Sequence, residues 1–375
     1  MDSESVLPLL RPIKILQFQD RRMRSLLRGF NSERAILLRD FVTYQGIQCY
    51  IVCFQNYLRN AGVDIDEYEI FFLGNGFVTC YEKKLQNESV ELFLRSYINE
   101  SVDVFCKEYN LEYIKYKDIE NSEAEELIEN CISRNIPVIL RIDAGCINYN
   151  AAFKNAYGLG FSHYVIVLNR SENGFLVSDG YVPTVPASIF QGEFESGQLR
   201  QARNARNNVC IIIPKEQLLQ FQNSWNRDEM TDRVVQAINA SILSFLTGGT
   251  IQNSYYGVRA MEAWISDLPF LHDYYEERFT EKMYDLYKKI RMRGFIGSRY
   301  LLNKAVGYLS EHKSIFGKQI VTDLQQVTRS WDMFGMSLLK IGIAKRKNDL
   351  VSLAQRANEI YGNELDTYNR ILKYV

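Results

Sequence analysis

Cys49, His163 and Asp179 lie far apart in this sequence, yet their residue types and settings together fit acyl chemistry. Cys49 follows Gly46-Ile47-Gln48 and opens a segment of helical periodicity. Ile51, Val52, Phe54, Tyr57 and Leu58 recur along it until Ala61-Gly62 offers a stop. A helix N-terminus carries partial positive charge and unpaired N–H groups. Both favour a thiolate and help to hold an oxyanion. His163 heads the apolar run Tyr164-Val165-Ile166-Val167-Leu168, the chain turns at Asn173-Gly174, and Asp179 ends the returning run Phe175-Leu176-Val177-Ser178. Two adjacent strands of a hairpin bring such residues together when both point to one face. A thiolate that attacks an acyl carbon, a histidine that moves protons and a carboxylate that holds the imidazole form one coherent mechanism.

Each residue also has a plainer reading. A free cysteine is most often a small buried hydrophobe. Cys53, one turn further on the same helix face, reads that way, as core or as lining behind the site. Asp179-Gly180 is a common turn pair. Asp143, which ends another strand before Ala144-Gly145, is an alternative orienting acid, with Asp179 preferred. The other histidines, His272 and His312, stand near helix ends and read as surface or cap residues. The oxyanion donor stays open between the backbone N–H of Cys49 and a side-chain amide from Gln45 or Gln48.

Composition narrows the function classes. The 375 residues are 46% hydrophobic, enough for a sizeable core and two domains. A formal net charge of -1 argues against a nucleic-acid partner. Seven cysteines without a CxxC pair, together with three histidines, argue against a bound metal and against a secreted disulfide framework. No stretch approaches the roughly 18 apolar residues needed to cross a bilayer, and no basic leader opens the chain. The expectation is a cytoplasmic protein with no membrane partner and no cofactor.

Along the chain, residues 1–40 read as an irregular extension with a basic patch at Arg21-Arg22-Met23-Arg24. Helices are expected from Cys49 to Asn60, from a cap at Asp64 to Leu73, over 88–109 and over 121–134. Strands follow at 137–143, 164–169, 175–178 and 209–214, with a polar, turn-rich stretch at 191–208. Helices first and a mainly antiparallel sheet second indicate α+β. After Pro214 helical periodicity runs to the end. The expected organisation is an extension over 1–40, a catalytic domain over 41–215 and an all-α domain over 216–375.

With these residues in place, the sequence resembles the butirosin biosynthesis protein H family. The resemblance rests on Gly46-Ile47-Gln48-Cys49, Asn56-Tyr57-Leu58-Arg59-Asn60-Ala61-Gly62, and Glu69 to Phe77 with its Gly74-Asn75-Gly76. It continues through Pro137 to Asp143, Ser162 to Val167 and Val177-Ser178-Asp179, then Tyr256-Gly257-Val258-Arg259, Gly294 to Tyr300 and Ser330-Trp331. Two positions depart from pattern. Gln48 stands where the family often has histidine, and Thr43 stands six residues before the cysteine, where papain-like peptidases have glutamine.

The resemblance implies a papain-like cysteine-protease fold used for acyl transfer. An acyl, aminoacyl or peptidyl group would pass from the phosphopantetheine thioester of a carrier protein to Cys49, then to a small-molecule amine, in a specialised-metabolite pathway such as nonribosomal peptide assembly. It makes Cys49 the nucleophile, His163 the base and Asp179 the orienting acid. The basic run Lys288, Lys289, Arg291 and Arg293 could dock an acidic carrier protein, and a solvated helix face explains it equally well. A papain-like peptidase or amidohydrolase would use the same residues with water as acceptor. A non-catalytic binding protein is the third reading. Whether the protein forms a homodimer stays open.

Overall fold

The computed structural model of the chain describes residues 40–86, 89–149, 161–182, 188–292 and 294–374. The N-terminal extension through residue 39, the Gly158-Leu159-Gly160 approach to His163 and Arg293 lie outside the described residues.

In chain order the elements begin with helices α1 (Cys49–Asn60) and α2 (Glu67–Leu73), strands β1 (Thr79–Gln86) and β2 (Ser89–Ser96), and α3 (Ile98–Glu108). Then come β3 (Ile114–Tyr116), α4 (Asn121–Ile132), β4 (Val138–Asp143), β5 (Ser162–Arg170), β6 (Gly174–Val182), β7 (Ser188–Glu195), α5 (Ser196–Asn204), β8 (Cys210–Ile212) and α6 (Lys215–Ser224). The remainder is α7 (Arg227–Thr247), β9 (Gly249–Ile251), β10 (Ser254–Tyr256), α8 (Val258–Asp267), α9 (Leu271–Tyr275), α10 (Phe279–Met292), α11 (Phe295–Lys313), α12 (Lys318–Ala344) and α13 (Leu350–Ile371).

The chain divides into two compact units. Among the described residues, one unit holds those up to Glu67 together with those from Phe105 to Arg227; the other holds those from Tyr68 to Val104 and from Asp228 on.

The first unit is built on a six-stranded antiparallel sheet in the order β3-β8-β4-β5-β6-β7. Its central strands are buried at almost every position. Val138, Ile139 and Leu140 of β4 and Val165 to Leu168 of β5 are inaccessible, so both sheet faces are covered. Helix α1 packs against β5 and β6, and α5 against β4, β6 and β7. All residues from Tyr50 to Leu58 of α1 are buried, which makes it an internal helix rather than an amphipathic surface one. Its end is set by Gly62, which takes φ +85°.

The second unit has its own four-stranded antiparallel sheet, β2-β1-β10-β9, and the helices α7 to α13. Its core holds a buried ion pair. Arg299 Nε lies 2.9 Å from Glu364 Oε1, which also accepts Tyr368 Oη at 2.6 Å. Trp331 Nε1 donates to the other oxygen at 3.3 Å, and Arg299 reaches Thr79 Oγ1 at 3.1 Å. The segments around Arg299 and Trp331, singled out in the sequence, meet at this carboxylate.

The fold class is α+β, with the cysteine-bearing helix first and an antiparallel sheet after, followed by a helical C-terminal region. Several expectations are corrected in detail. The C-terminal region is not all-α, because β9 and β10 extend the β1–β2 hairpin through pairs such as Cys80 with Tyr256. Residues 68–104, expected within a continuous 41–215 domain, group with the C-terminal unit for the same reason. The stretch 88–109 is a strand and then a helix. Leu92, Leu94 and Ser96 are buried while Glu91, Phe93 and Arg95 are not, which is a period of two. The polar stretch 191–208 contains part of β7 and all of α5. No helix among the described residues is long and apolar enough to cross a membrane.

Candidate active site

Cys49 is the first residue of α1 and is half-buried. Gln48 before it is extended, at φ -126°, and its carbonyl accepts the N–H of Val52. The first N–H groups of a helix have no partner within it, so the helix start presents donors beside the thiol. The loop leading to Cys49 is tied down at several points. Gly46 N–H donates to the Gly180 carbonyl at 2.9 Å. Asn56 of α1 accepts from Tyr44 N–H at 2.6 Å and donates to the Tyr44 carbonyl at 3.1 Å. The fully buried Glu67 accepts Ile47 N–H at 2.8 Å and Gln48 N–H at 3.4 Å through one oxygen, Oε2.

His163 lies near the start of β5 and Asp179 in β6. His163 Nε2 is 2.8 Å from Asp179 Oδ2, and the two side chains are 3% and 0% exposed. Cys49 hydrogen-bonds the same imidazole. Burial opposes a charge on His163. The Asp179 carboxylate and then the Cys49 sulfur outweigh it and raise the imidazole to about 10. An imidazole beside a sulfur and oriented by a carboxylate is placed to move protons for acyl chemistry at that sulfur.

Asp179 has further partners. Its Oδ2 accepts the Tyr149 hydroxyl at 2.6 Å and its Oδ1 the Tyr181 N–H at 2.9 Å. Burial, with Asp179 second, raises the Tyr149 phenol, so Tyr149 remains a donor.

The structure separates the other candidates from this cluster. Asp143, the alternative acid, pairs across strands with Ser162, while Ile142 pairs with His163. Strand alternation therefore puts Asp143 and His163 on opposite faces. Its carboxylate is held by Arg206 at 2.7 Å and by Gly145 N–H at 2.9 Å. Cys53 is 1% exposed, and burial, then Cys49 and Asp179, push its thiol well up. Thr43 binds Ser178, Oγ1 to Oγ at 2.7 Å, so its side chain serves the core. Gln45 is exposed, and Gln48 is half-buried with no side-chain cap bond to the helix. His272 and His312 lie on helices of the other unit, His312 stacked on Tyr308. Of the basic run, Lys288, Lys289 and Arg291 pair with Asp285, Glu91 and Asp332 at 2.9, 3.0 and 3.0 Å.

Two residues of the site were not legible in the sequence. Glu67 sits at the start of α2 like any acidic first-turn residue, and Tyr149 is one of 24 tyrosines. Neither has a local signal, because their partners are brought to them by the fold.

Residues 48–180 match the family model described as Butirosin biosynthesis protein H, N-terminal. This stretch is similar to that family. The match spans Cys49, His163 and Asp179 and supports the family to which the sequence motifs point. Among curated proteins nothing matches. A crystal structure of a protein described as a C39-like peptidase from Bacillus anthracis is 12% identical, covering 48% of this chain and 98% of that one, with a TM-score of 0.31. The site geometry and the butirosin biosynthesis protein H match together support a cysteine enzyme.

Proposed function

We propose that this protein is an acyltransferase of specialised-metabolite biosynthesis, in which Cys49 takes an acyl, aminoacyl or peptidyl group from a carrier-protein thioester and gives it to an amine. The observation that carries the reading is His163 held between Asp179 and Cys49 at the start of α1. The match to a family described as a biosynthesis protein supports the pathway setting.

The Cys49 thiolate attacks the thioester carbonyl, and the backbone N–H of Cys49 at the helix start receives the oxyanion. The bond to the pantetheine sulfur breaks, and His163 supplies the proton that the departing thiolate takes. An acyl-Cys49 remains. The amine then attacks, neutral His163 accepts its proton, and the amide leaves as Cys49 returns to thiolate. Asp179 keeps Nε2 engaged and so holds the imidazole in place throughout. The acyl donor arrives on the carrier protein's phosphopantetheine, and the steps call on no other cofactor. All seven cysteines are free thiols, which suits a reducing compartment such as the cytoplasm.

Intact-protein mass spectrometry with an acyl-loaded carrier protein tests the assignment. Wild type should gain the acyl mass at Cys49 and lose it on adding amine, while Cys49→Ala gains nothing. Acylation of Cys49→Ala would end the proposal. Release of free acid at one rate with and without amine would instead mark a hydrolase.

A further inference from the structure

Resting on that reading of Cys49, His163 and Asp179, we propose that Tyr149 is a positioning residue of the site, whose hydroxyl fixes the Asp179 carboxylate that in turn directs His163. Two donors converge on one oxygen: Asp179 Oδ2 is 2.8 Å from His163 Nε2 and 2.6 Å from Tyr149 Oη. The other oxygen is held by Tyr181 N–H at 2.9 Å. A carboxylate bound by the imidazole and one backbone N–H retains freedom to swing about its Cβ–Cγ bond. The third donor removes that freedom and takes a share of the charge that would otherwise fall on the imidazole.

Tyr149 is itself held in place. Its ring stacks on Phe190 with centroids 4.0 Å apart and planes at 9°, and meets Phe194 edge-on at 5.4 Å. Phe190 is the cross-strand partner of Asp179 between β6 and β7. The sheet register that places the carboxylate therefore also places the platform under the phenol. The titratable groups facing one another here are Cys49 and Cys53 of α1, His163 of β5, Asp179 of β6, Tyr149 before the β5 strand and, beside the His163 ring, Tyr181.

The test is the pH dependence of Cys49 alkylation by iodoacetamide in the full chain, with His163→Ala and Cys49→Ala as controls. Tyr149→Phe keeps the ring and its stack on Phe190, and thermal unfolding checks that it folds. Deprived of one donor, Asp179 grips the imidazolium more tightly. The alkaline transition in the alkylation rate should therefore move up by about half a pH unit. A residue that merely fills space would leave that transition where it is in wild type, and this result would overturn the Tyr149 assignment alone. If wild type shows no His163-dependent alkylation of Cys49, both the parent reading and the Tyr149 role fall. The His163 Nε2 proton, followed by NMR in wild type and Tyr149→Phe, gives a second readout: its resonance should shift, and an unmoved resonance counts against the proposal.

Discussion

Gly46 donates its backbone N–H to the carbonyl of Gly180 at 2.9 Å, and this bond ties the loop that ends in Cys49 to the strand that carries Asp179. The approach is close. A Cβ at residue 180 would lie 2.6 Å from the Tyr44 carbonyl oxygen, 2.8 Å from Asn56 Nδ2 and 2.9 Å from Val52 Cγ2. Gly180→Ala is expected to cost about 1–3 kcal/mol of stability, since a backbone oxygen cannot turn aside as a flexible side chain would. Thermal or urea unfolding measures it, and an unchanged midpoint would show that the loop is free to shift. Alkylation of Cys49 should slow in the same variant, because the loop cannot give way without moving the thiol.

Glu67 acts on the same loop from the other side. Glu67→Ala leaves the N–H groups of Ile47 and Gln48 without their acceptor and should destabilise the protein by about 1–3 kcal/mol. Glu67→Gln keeps an oxygen that can accept both bonds and should recover most of the loss. Equal unfolding free energies for the two variants would contradict this account.

The His163–Asp179 pair predicts how stability varies with pH. Raised from 6.5 to about 10 in the folded state, His163 contributes stability that is fully present below its unfolded value. That contribution is lost as pH climbs from about 6.5 through about 10. Urea unfolding across this window should show wild type weakening with rising pH more steeply than Asp179→Asn, whose neutral amide holds the imidazolium less well. Parallel curves would mean that His163 is not charged in the folded protein.

In the C-terminal unit the Arg299–Glu364 pair should behave as a buried ion pair. Glu364→Ala strands a guanidinium that is 1% exposed and is expected to cost about 3–5 kcal/mol. The double change Arg299→Met with Glu364→Leu removes both charges and should be much less damaging than the single one. Chemical denaturation of the single and double variants completes the comparison, and additive losses would refute the pairing.

The reading of residues 88–109 shows where sequence pattern gives out. Val90, Leu92 and Leu94 alternate as a strand does, but the apolar side chains that continue past Tyr97 carry helical spacing, and together they pass for one helix. What makes 89–96 a strand is its pairing with β1, and β1 in turn pairs with β10, remote in the chain. The β9–β10 hairpin, turned by Gln252 at φ +53°, is too short to interrupt a helical composition noticeably.

By itself the sequence determined what neighbours along the chain decide: a helix opening at Cys49, a hairpin joining the strands of His163 and Asp179, and a long helical end. Those follow from side-chain periodicity and turn chemistry, which act over a few residues. Tertiary structure alone chose between the two acids, because strand register turns Asp143 toward Arg206 and away from His163. It alone recruited Glu67 and Tyr149, whose hydrogen bonds reach across the fold to Ile47 and Asp179. A carboxylate or a phenol carries no mark of its partner; the geometry that pairs them arises when sheet and helices close around a common core.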